Sequence, residues 1–156
     1  MDFTLSNEQK LIRDSAREFA QTELLPGVIE RDENKKFPKL QIEKMAQMGF
    51  LGMMTNPKYG GGGMDTISYV LAMEEISKVD ASCSVIMSVN NSLVCWGIEK
   101  YGSEEQKEKY LPELAKGNIL GAFCLSEPEA GSDATSQKTT ATDMGDYYIL
   151  NGTKNW

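Results

Sequence analysis

The spacing of apolar residues divides the chain into a helical part and a later part with strand character. Between residues 6 and 116, apolar side chains recur every three or four positions, which is typical of amphipathic helices. After Ile119 they alternate or form short runs separated by turn residues, which is typical of strands. The pattern therefore predicts a mainly α protein with β structure after residue 118.

Start and stop signals define the individual helices. Ser6 and Ser103 each begin a capping box, whose side chains satisfy main-chain amides of the first helical turn. The predicted helices cover about residues 6–24, 38–48, 65–78, 80–101 and 103–116, and Gly49, Gly102 and Gly117 are stop signals. The predicted buried positions are Ile12, Ala16, Phe19, Ala20, Ile42, Met45, Met48, Val70, Met73 and Ile76.

The helix over residues 80–101 is the most apolar of the chain. Its apolar residues occupy nearly every side, which predicts a central position in the fold. Asn90, Asn91 and Ser92 interrupt it with polar groups that need partners. These groups bond either to solvent and backbone, or they form one wall of a ligand cavity. No uninterrupted apolar run reaches the roughly 18 residues of a membrane helix, so no membrane span is predicted.

The β part begins with an apolar run at residues 120–125, which predicts a buried strand. Further on, residues 138–142 are rich in β-branched side chains, and residues 144–146 predict a turn. Residues 147–150 followed by Asn151-Gly152 predict a hairpin whose second strand contains Trp156. A large aromatic residue at the end of the chain within a strand leaves an open sheet edge. This pattern predicts that the chain is a fragment of a longer protein.

Between these predicted strands lies Ser-Glu-Pro-Glu-Ala-Gly-Ser-Asp, residues 126–133. Pro128 lacks an amide donor, Gly131 permits unusual backbone angles, and Ser132 and Asp133 favour turns. A loop of this kind has free main-chain amides and approaches a phosphate or a flat polar ring closely. A simple polar turn between two strands explains the same composition.

Residues 123–133, Phe-Cys-Leu-Ser-Glu-Pro-Glu-Ala-Gly-Ser-Asp, resemble the flavin-binding signature of the acyl-CoA dehydrogenases. Three further segments fit that family in the same order: Tyr-Gly-Gly-Gly-Gly-Met-Asp at 59–65, Met-Glu-Glu-Ile-Ser at 73–77, and Asn-Gly-Thr-Lys-Asn-Trp at 151–156. The last resembles the start of the family's second signature. Residues 86–93 are most similar to the short-chain (butyryl-CoA) branch. The resemblance covers essentially the whole chain, but only about the first two-fifths of a typical member.

The resemblance implies a fold of two parts: an N-terminal up-down α-helical bundle domain at 1–118, and the first strands of a truncated β-barrel-like domain at 119–156. It implies a parent flavoprotein of fatty acid β-oxidation. That oxidoreductase uses FAD to convert a short-chain acyl-CoA to the trans-2-enoyl-CoA and passes electrons to electron-transferring flavoprotein. The expected assembly is a homotetramer. The family's catalytic glutamate lies in its C-terminal helical domain, so this chain is expected to contain no catalytic residue and to be inactive alone.

By the same resemblance, the cofactor-binding residues are Phe123, Cys124, Leu125, Ser126, Gly131, Ser132 and Trp156. The hydroxyl or amide of Ser126 would bond to the flavin ring, while Gly131 and Ser132 would meet the pyrophosphate. Ser132 would also contact the CoA part of the substrate. Trp156 would pack beside the flavin, or act only as a cross-strand aromatic. The family often has glycine where this chain has Glu129, and a positive φ there would cost about 1–2 kcal/mol.

Composition excludes several classes of site. The chain has no histidine, which removes Ser-His-Asp and Cys-His nucleophiles and most zinc sites, and no metal site is predicted. A net charge of −7 argues against nucleic-acid binding. Cys83, Cys95 and Cys124 are scattered and odd in number, which predicts reduced thiols acting as small core residues. The first four residues lack signal-peptide features, so we expect a cytoplasmic protein, or one in the mitochondrial matrix.

Other functions fit parts of the sequence. The four glycines at 60–63 suggest a phosphate loop, but no Gly-Lys-Ser/Thr follows them, and a flexible turn is the better interpretation. An acyl-CoA oxidase-like flavoenzyme would share the same signatures. From a different class, a cofactor-free helical interaction module would use the exposed β edge and the polar run at 90–92 to bind a protein partner.

Overall fold

The protein, a computed structural model described over residues 4–156, is a set of helices followed by one β-hairpin. The helices are α1 Asn7–Phe19, continuing as a π-helical turn Ala20–Leu24, α2 Val28–Glu33, α3 Lys39–Gln47, α4 Thr66–Ser77, α5 Ala81–Ser88, α6 Trp96–Tyr101 and α7 Glu104–Ala115. A π-helical segment, Val89–Cys95, joins α5 to α6, and short 3-10 turns lie at Pro57–Tyr59 and Ala134–Ser136. Strands β1 Thr140–Asp143 and β2 Tyr148–Asn151 pair antiparallel. The predicted fold class is confirmed.

Packing separates the chain into two compact units, Met1–Ala122 and Phe123–Trp156. The domain boundary between residues 118 and 119 stays a prediction, because these compact units do not define the domains of the whole protein. The prediction that no signal peptide is present rests on the first four residues. Residues 1–3 lie outside the described residues.

The helical unit is organised by caps and an apolar core, as predicted. Both capping boxes are formed, with Ser6 accepting from the amide of Gln9 at 3.1 Å and Ser103 from that of Gln106 at 3.2 Å. The core cluster contains Ala16, Phe19, Ala20, Leu24, Ile42, Met45, Phe50, Leu51, Met53, Tyr69, Ala72, Ile76, Cys83 and Met87, and Ile12 and Met73 pack against it.

Two predicted core residues are wrong, because Met48 and Val70 are about half exposed. Met48 is the residue that ends α3, so it lies beyond the last turn that faces the core. Helix α4 is rotated relative to the predicted stripe, so that Tyr69 and Ala72 face inward together with the predicted Ile76. Several apolar residues in α4 allow more than one stripe, and tertiary packing selects among them.

The continuous helix Ala81–Tyr101 is less central than its composition predicts. Val85, Leu93 and Trp96 are all more than 40% exposed, so one side of the helix has no cover within the described residues. By length and composition alone this helix could cross a membrane. A single helix of this kind is weak evidence for a membrane span, because core helices of soluble proteins have the same length and composition. The absence of a membrane span stays a prediction.

Two buried asparagines tie this helix to the rest of the helical unit. The Asn90 side-chain amide donates to the carbonyls of Leu51 at 2.8 Å and Leu114 at 3.2 Å, and its oxygen accepts from the amide of Gly121 at 3.0 Å. Asn91 donates to the Phe50 carbonyl at 2.8 Å. The side-chain amides of both asparagines therefore bond to the backbone, as the first interpretation of this polar run expects. Asn91 also lines a cavity, and its side-chain oxygen has no partner among the described residues, so the ligand-cavity interpretation stays a prediction.

A charged cluster joins α1 to α4. Arg17 contacts both carboxylate oxygens of Glu75, with Nε at 3.0 Å and Nη2 at 3.1 Å, and the Lys78 ammonium lies 2.9 Å from the same carboxylate. The Glu75 side chain is 6% exposed, whereas the neighbouring Glu74 side chain is 57% exposed. Adjacent helix positions thus point in different directions. The hydrogen bond from Arg17, followed by that from Lys78, lowers the pKa of Glu75 to about 2.

The second unit differs from its predicted strands at both ends. Residues 120–125 form no strand, and Leu120, Phe123 and Leu125 are largely exposed. A strand needs a paired neighbour, and among residues 4–156 β1 and β2 pair only with each other. The hairpin turn lies at 144–147, where Gly145 has a φ of 94°, and not at Asn151-Gly152. Residues 152–156 leave the hairpin in an irregular conformation, so Trp156 is not in a strand.

We predict that Asn90→Ala lowers the free energy of unfolding by about 2–4 kcal/mol, because it leaves the Leu51 carbonyl and the Gly121 amide without partners. Urea unfolding followed by circular dichroism measures the change. The matched control is Asn118→Ala, since Asn118 is exposed and bonds only to Glu113 through its side chain. Equal effects of the two substitutions would contradict this role of Asn90.

We predict that Glu75→Gln destabilises the protein by about 1–3 kcal/mol at neutral pH, as expected for hydrogen bonds to a charged group. Because folding lowers the pKa of Glu75 from 4.5 to about 2, its contribution is complete above pH 4.5 and declines as pH falls toward 2. Wild type and variant should therefore converge in acid unfolding. Glu74→Gln is the control, and an equally pH-dependent loss in that variant would argue against the cluster.

Candidate functional site

The candidate site is the loop at 126–132, which lies within the second unit. The loop closes on itself where the amide of Glu127 donates to the Ala130 carbonyl at 3.0 Å and the amide of Ala130 donates back at 3.1 Å. Pro128 and Glu129 form the tip between them. Among the described residues other than glycine, only Lys35 and Trp156 have a positive φ. Glu129 has no positive φ, so this turn closes without the cost that a left-handed residue would bring at that position.

The Glu127 carboxylate holds this loop against two later segments. It accepts from the main-chain amides of Lys138 at 2.6 Å and Thr139 at 3.1 Å, and from the Lys154 ammonium at 2.8 Å. The Glu127 side chain is 5% exposed. The hydrogen bond from Lys154, followed by those from Thr139 and Lys138, lowers the pKa of Glu127 to about 2. The carboxylate is therefore ionised at neutral pH and links three separate parts of the unit.

The carbonyls just before Glu127 are held by the same segments. The Leu125 carbonyl accepts from the Gln137 side chain at 2.7 Å and from the Lys154 ammonium at 3.1 Å. The Ser126 carbonyl accepts from the amide of Asn155 at 2.8 Å. The backbone at 125–127 therefore has a fixed orientation although it belongs to no strand.

Several donors of the loop have no acceptor. The main-chain amides of Ser126, Gly131 and Ser132 donate to no described residue, and the same is true of the two serine hydroxyls. Gly131 and Ser132 are exposed and Ser126 is partly so. Ordered amides without partners are the usual sign of a surface that water or a ligand completes.

Two glycines of this unit differ in what surrounds them. A Cβ on Gly152 would lie 2.1 Å from Oγ1 and 2.8 Å from Cα of Thr139, so a close internal contact explains this glycine. A Cβ on Gly131 would meet nothing within 4 Å, and Gly131 does not have a positive φ. Nothing inside the described chain requires glycine at 131, which leaves its open side available to an external group.

The other sequence-predicted site residues lie close to the loop in sequence but are mostly solvent-exposed. Phe123, Cys124 and Leu125 are all exposed. Trp156 is fully exposed, and it follows Asn155, whose amide bonds to the loop. The core role expected of all three cysteines holds for Cys83 and Cys95 but is wrong for Cys124. Cysteine is a residue type that packs well in a core, but no described residue covers the segment that contains Cys124. Burial raises the pKa of the Cys83 thiol to about 12 and also raises that of Cys95.

The glycine-rich turn at 60–63 offers no comparable donors. The amide of Gly61 donates to Asn56, that of Gly62 to Gly52 and that of Gly63 to Thr55, all main-chain carbonyls 2.8–3.4 Å away. The turn therefore consumes its amides internally and is no phosphate cradle. Over residues 4–156 there is also no cluster of three or more acidic, cysteine or histidine side chains that could hold a metal ion.

Sequence reasoning missed Glu127 and Lys154 as organisers of the site. Both residues lie inside the two recognised signatures, at 123–133 and 151–156. The available signal was the co-occurrence of an acidic residue in one signature and a basic residue in the other. Their 27-residue separation gave no local pattern that would have paired them.

Comparison with known proteins agrees with this description. The family model for the acyl-CoA dehydrogenase N-terminal domain matches residues 6–118. A short-chain specific acyl-CoA dehydrogenase of Clostridium acetobutylicum is 47% identical over 154 residues, covering 99% of this chain and 41% of that protein.

Solved structures match equally well. Butyryl-CoA dehydrogenase from Megasphaera elsdenii is 42% identical with a TM-score of 0.92, covering 99% of this chain and 41% of that one. A glutaryl-CoA dehydrogenase from Mycobacterium smegmatis, in complex with FADH2, is 38% identical with a TM-score of 0.93, covering 97% and 39%. The chain thus spans about two-fifths of the length of these relatives, and it belongs to the acyl-CoA dehydrogenase family.

Proposed function

We propose that this chain is the N-terminal part of an FAD-dependent short-chain acyl-CoA dehydrogenase, and that the loop at 126–132 binds the flavin cofactor. The observation that carries the proposal is the set of unpaired main-chain donors at Ser126, Gly131 and Ser132, on a loop fixed by Glu127. Family membership supplies the class of ligand, because a related structure contains FADH2.

The residues present suit FAD. Ser126 offers an amide and a hydroxyl to the polar edge of a flavin ring, and Gly131 and Ser132 offer amides to the pyrophosphate. The open side of Gly131 permits close approach of phosphate oxygens, and we propose that Ser132 also contacts the CoA part of a substrate. Phe123, Cys124, Leu125 and Trp156 complete the proposed cofactor-binding set. Their exposed side chains offer apolar surface to a flat ring.

Bound FAD would supply the acceptor for the hydride removed from the acyl-CoA, yielding the trans-2-enoyl-CoA. This chain's own residues would bind and orient the cofactor. The base that removes the substrate proton would come from a C-terminal helical domain, so the chain alone is proposed to be inactive. We propose the cytoplasm as its location, or the mitochondrial matrix in a eukaryotic cell.

The proposed protein partners are electron-transferring flavoprotein and three further copies in a homotetramer. A chain 49% identical to this one, with a TM-score of 0.95, occurs in a structure reported for an electron transferring flavoprotein of Acidaminococcus fermentans. Exposed apolar residues support a larger assembly, since Trp96, Tyr101, Tyr148 and Leu150 are between 52% and 76% exposed.

The decisive experiment uses the full-length protein together with a Gly131 substitution series. We expect the wild type to bind FAD and to dehydrogenate butyryl-CoA. FAD affinity should fall from Gly131→Ala to Val to Leu, with about a tenfold or greater loss for Leu, which corresponds to about 1.4 kcal/mol. Stability of the apoprotein should stay constant across the series, because no atom lies within 4 Å of the new Cβ. Titration by flavin fluorescence and urea unfolding measure the two quantities.

Other outcomes identify the alternatives. A full-length protein that binds no flavin would overturn the proposal and favour an interaction module. Rapid turnover with oxygen as the acceptor would favour an oxidase-like flavoenzyme. Equal FAD affinity throughout the Gly131 series would remove this loop from the cofactor site.

Cysteine labelling gives a second prediction. Iodoacetamide should modify Cys124 in the native protein, whereas Cys83 and Cys95 should react only after unfolding because both are buried. In the full-length protein, FAD at about ten times its Kd should slow the modification of Cys124 about tenfold. Peptide mass spectrometry identifies each site. Unchanged labelling of Cys124 in a flavin-saturated protein would show that the cofactor does not cover this segment.

A further inference from the structure

We propose that Glu127 is a positioning residue of the flavin site, which acts through Lys154 to aim the Ser126 amide at the cofactor. This inference rests on the proposed function and extends it to residues that need not touch the flavin. It depends on how three segments of the second unit meet at one buried carboxylate.

The first step is the placement of Lys154. Its ammonium contacts Glu127 Oε1 at 2.8 Å and the Leu125 carbonyl at 3.1 Å. The side chain is 27% exposed, so water reaches it only in part. Without the carboxylate, a flexible lysine would lose its main attraction to this position, since the carbonyl alone carries no net charge.

The second step follows from peptide geometry. In a planar trans peptide, the carbonyl and the amide point to opposite sides. The Leu125 carbonyl and the Ser126 amide belong to the same peptide. Because Lys154 and Gln137 hold that carbonyl, the Ser126 amide must point away from them, and no described residue accepts from it there. Rotation of this peptide would direct the amide inward and remove it from the open side of the loop.

The third step concerns the other end of the loop. The same carboxylate accepts from the amides of Lys138 and Thr139, which anchors the chain just before β1. Both ends of the segment that contains Gly131 and Ser132 are thus attached to one side chain. A single acidic group fixes the spacing between the donor proposed for the ring and the donors proposed for the pyrophosphate.

The test compares five full-length variants with the wild type: Glu127→Gln, Lys154→Met, the double variant of these two, Lys154→Arg and Glu129→Gln. We expect Glu127→Gln and Lys154→Met each to weaken FAD binding at least tenfold, and the double variant to be little worse than either, because the two residues act as one unit. Lys154→Arg should restore most of the affinity. Glu129→Gln is the matched control, since Glu129 lies on the same loop but pairs with Lys138 at an exposed position.

A spectroscopic readout separates positioning from loss of structure. At FAD concentrations that saturate each protein, the visible absorption of bound flavin should differ from wild type in Glu127→Gln and Lys154→Met but not in Glu129→Gln. Wild-type FAD affinity and spectrum in both of the first two variants would overturn the inference and leave the proposed function intact. A wild type that binds no flavin would overturn both. If Glu127→Gln does not fold, the two Lys154 variants decide the result.

Discussion

A main-chain polar group that is held in place needs a partner, and this requirement governs both units of the chain. In the helical unit it is met internally: Asn90 and Asn91 satisfy carbonyls of irregular segments, and the glycine-rich turn pairs its amides with nearby carbonyls. In the second unit this requirement is met for the carbonyls of the candidate loop but not for several of its amides. The carbonyls of Leu125 and Ser126 are engaged, whereas the amides of Ser126, Gly131 and Ser132 are ordered and unpaired. The candidate site is the part of the loop where the carbonyls have partners and the amides do not.

Local signals predicted the helical unit well, because helix caps and apolar spacing are short-range. Both capping boxes and the buried face of α1 are present as expected. Errors occurred where a choice depended on tertiary neighbours. Val70 and Tyr69 are both suited to a buried stripe, and only packing against α1 decides which of them is buried. Residues 120–125 have the composition of a buried strand, but no strand in this chain pairs with them.

The candidate loop could be located from the sequence, but its internal organisation could not. Recognition depended on the order of residues 123–133, which is a local property. The Glu127 partners are 11, 12 and 27 positions further on, and two of them are main-chain amides that leave no mark in the sequence. Similarly, the pairing of β1 with β2 depends on Gly145 at the turn, whereas Asn151-Gly152 carries the stronger local hairpin signal.

The surroundings of Gly152 explain why Asn151-Gly152 was a misleading hairpin signal. Comparing them with the surroundings of Gly131 also helps to explain the glycine at 131. A glycine is needed at 152 because the backbone there lies against Thr139, so an internal contact accounts for it without any turn. At 131 an added Cβ would meet no described residue within 4 Å beyond its chain neighbours, and φ is not in the left-handed region. A residue whose small size is not used inside the chain is best explained by what approaches from outside. The proposed pyrophosphate, which is rich in hydrogen-bond acceptors, would complement the neighbouring free amides.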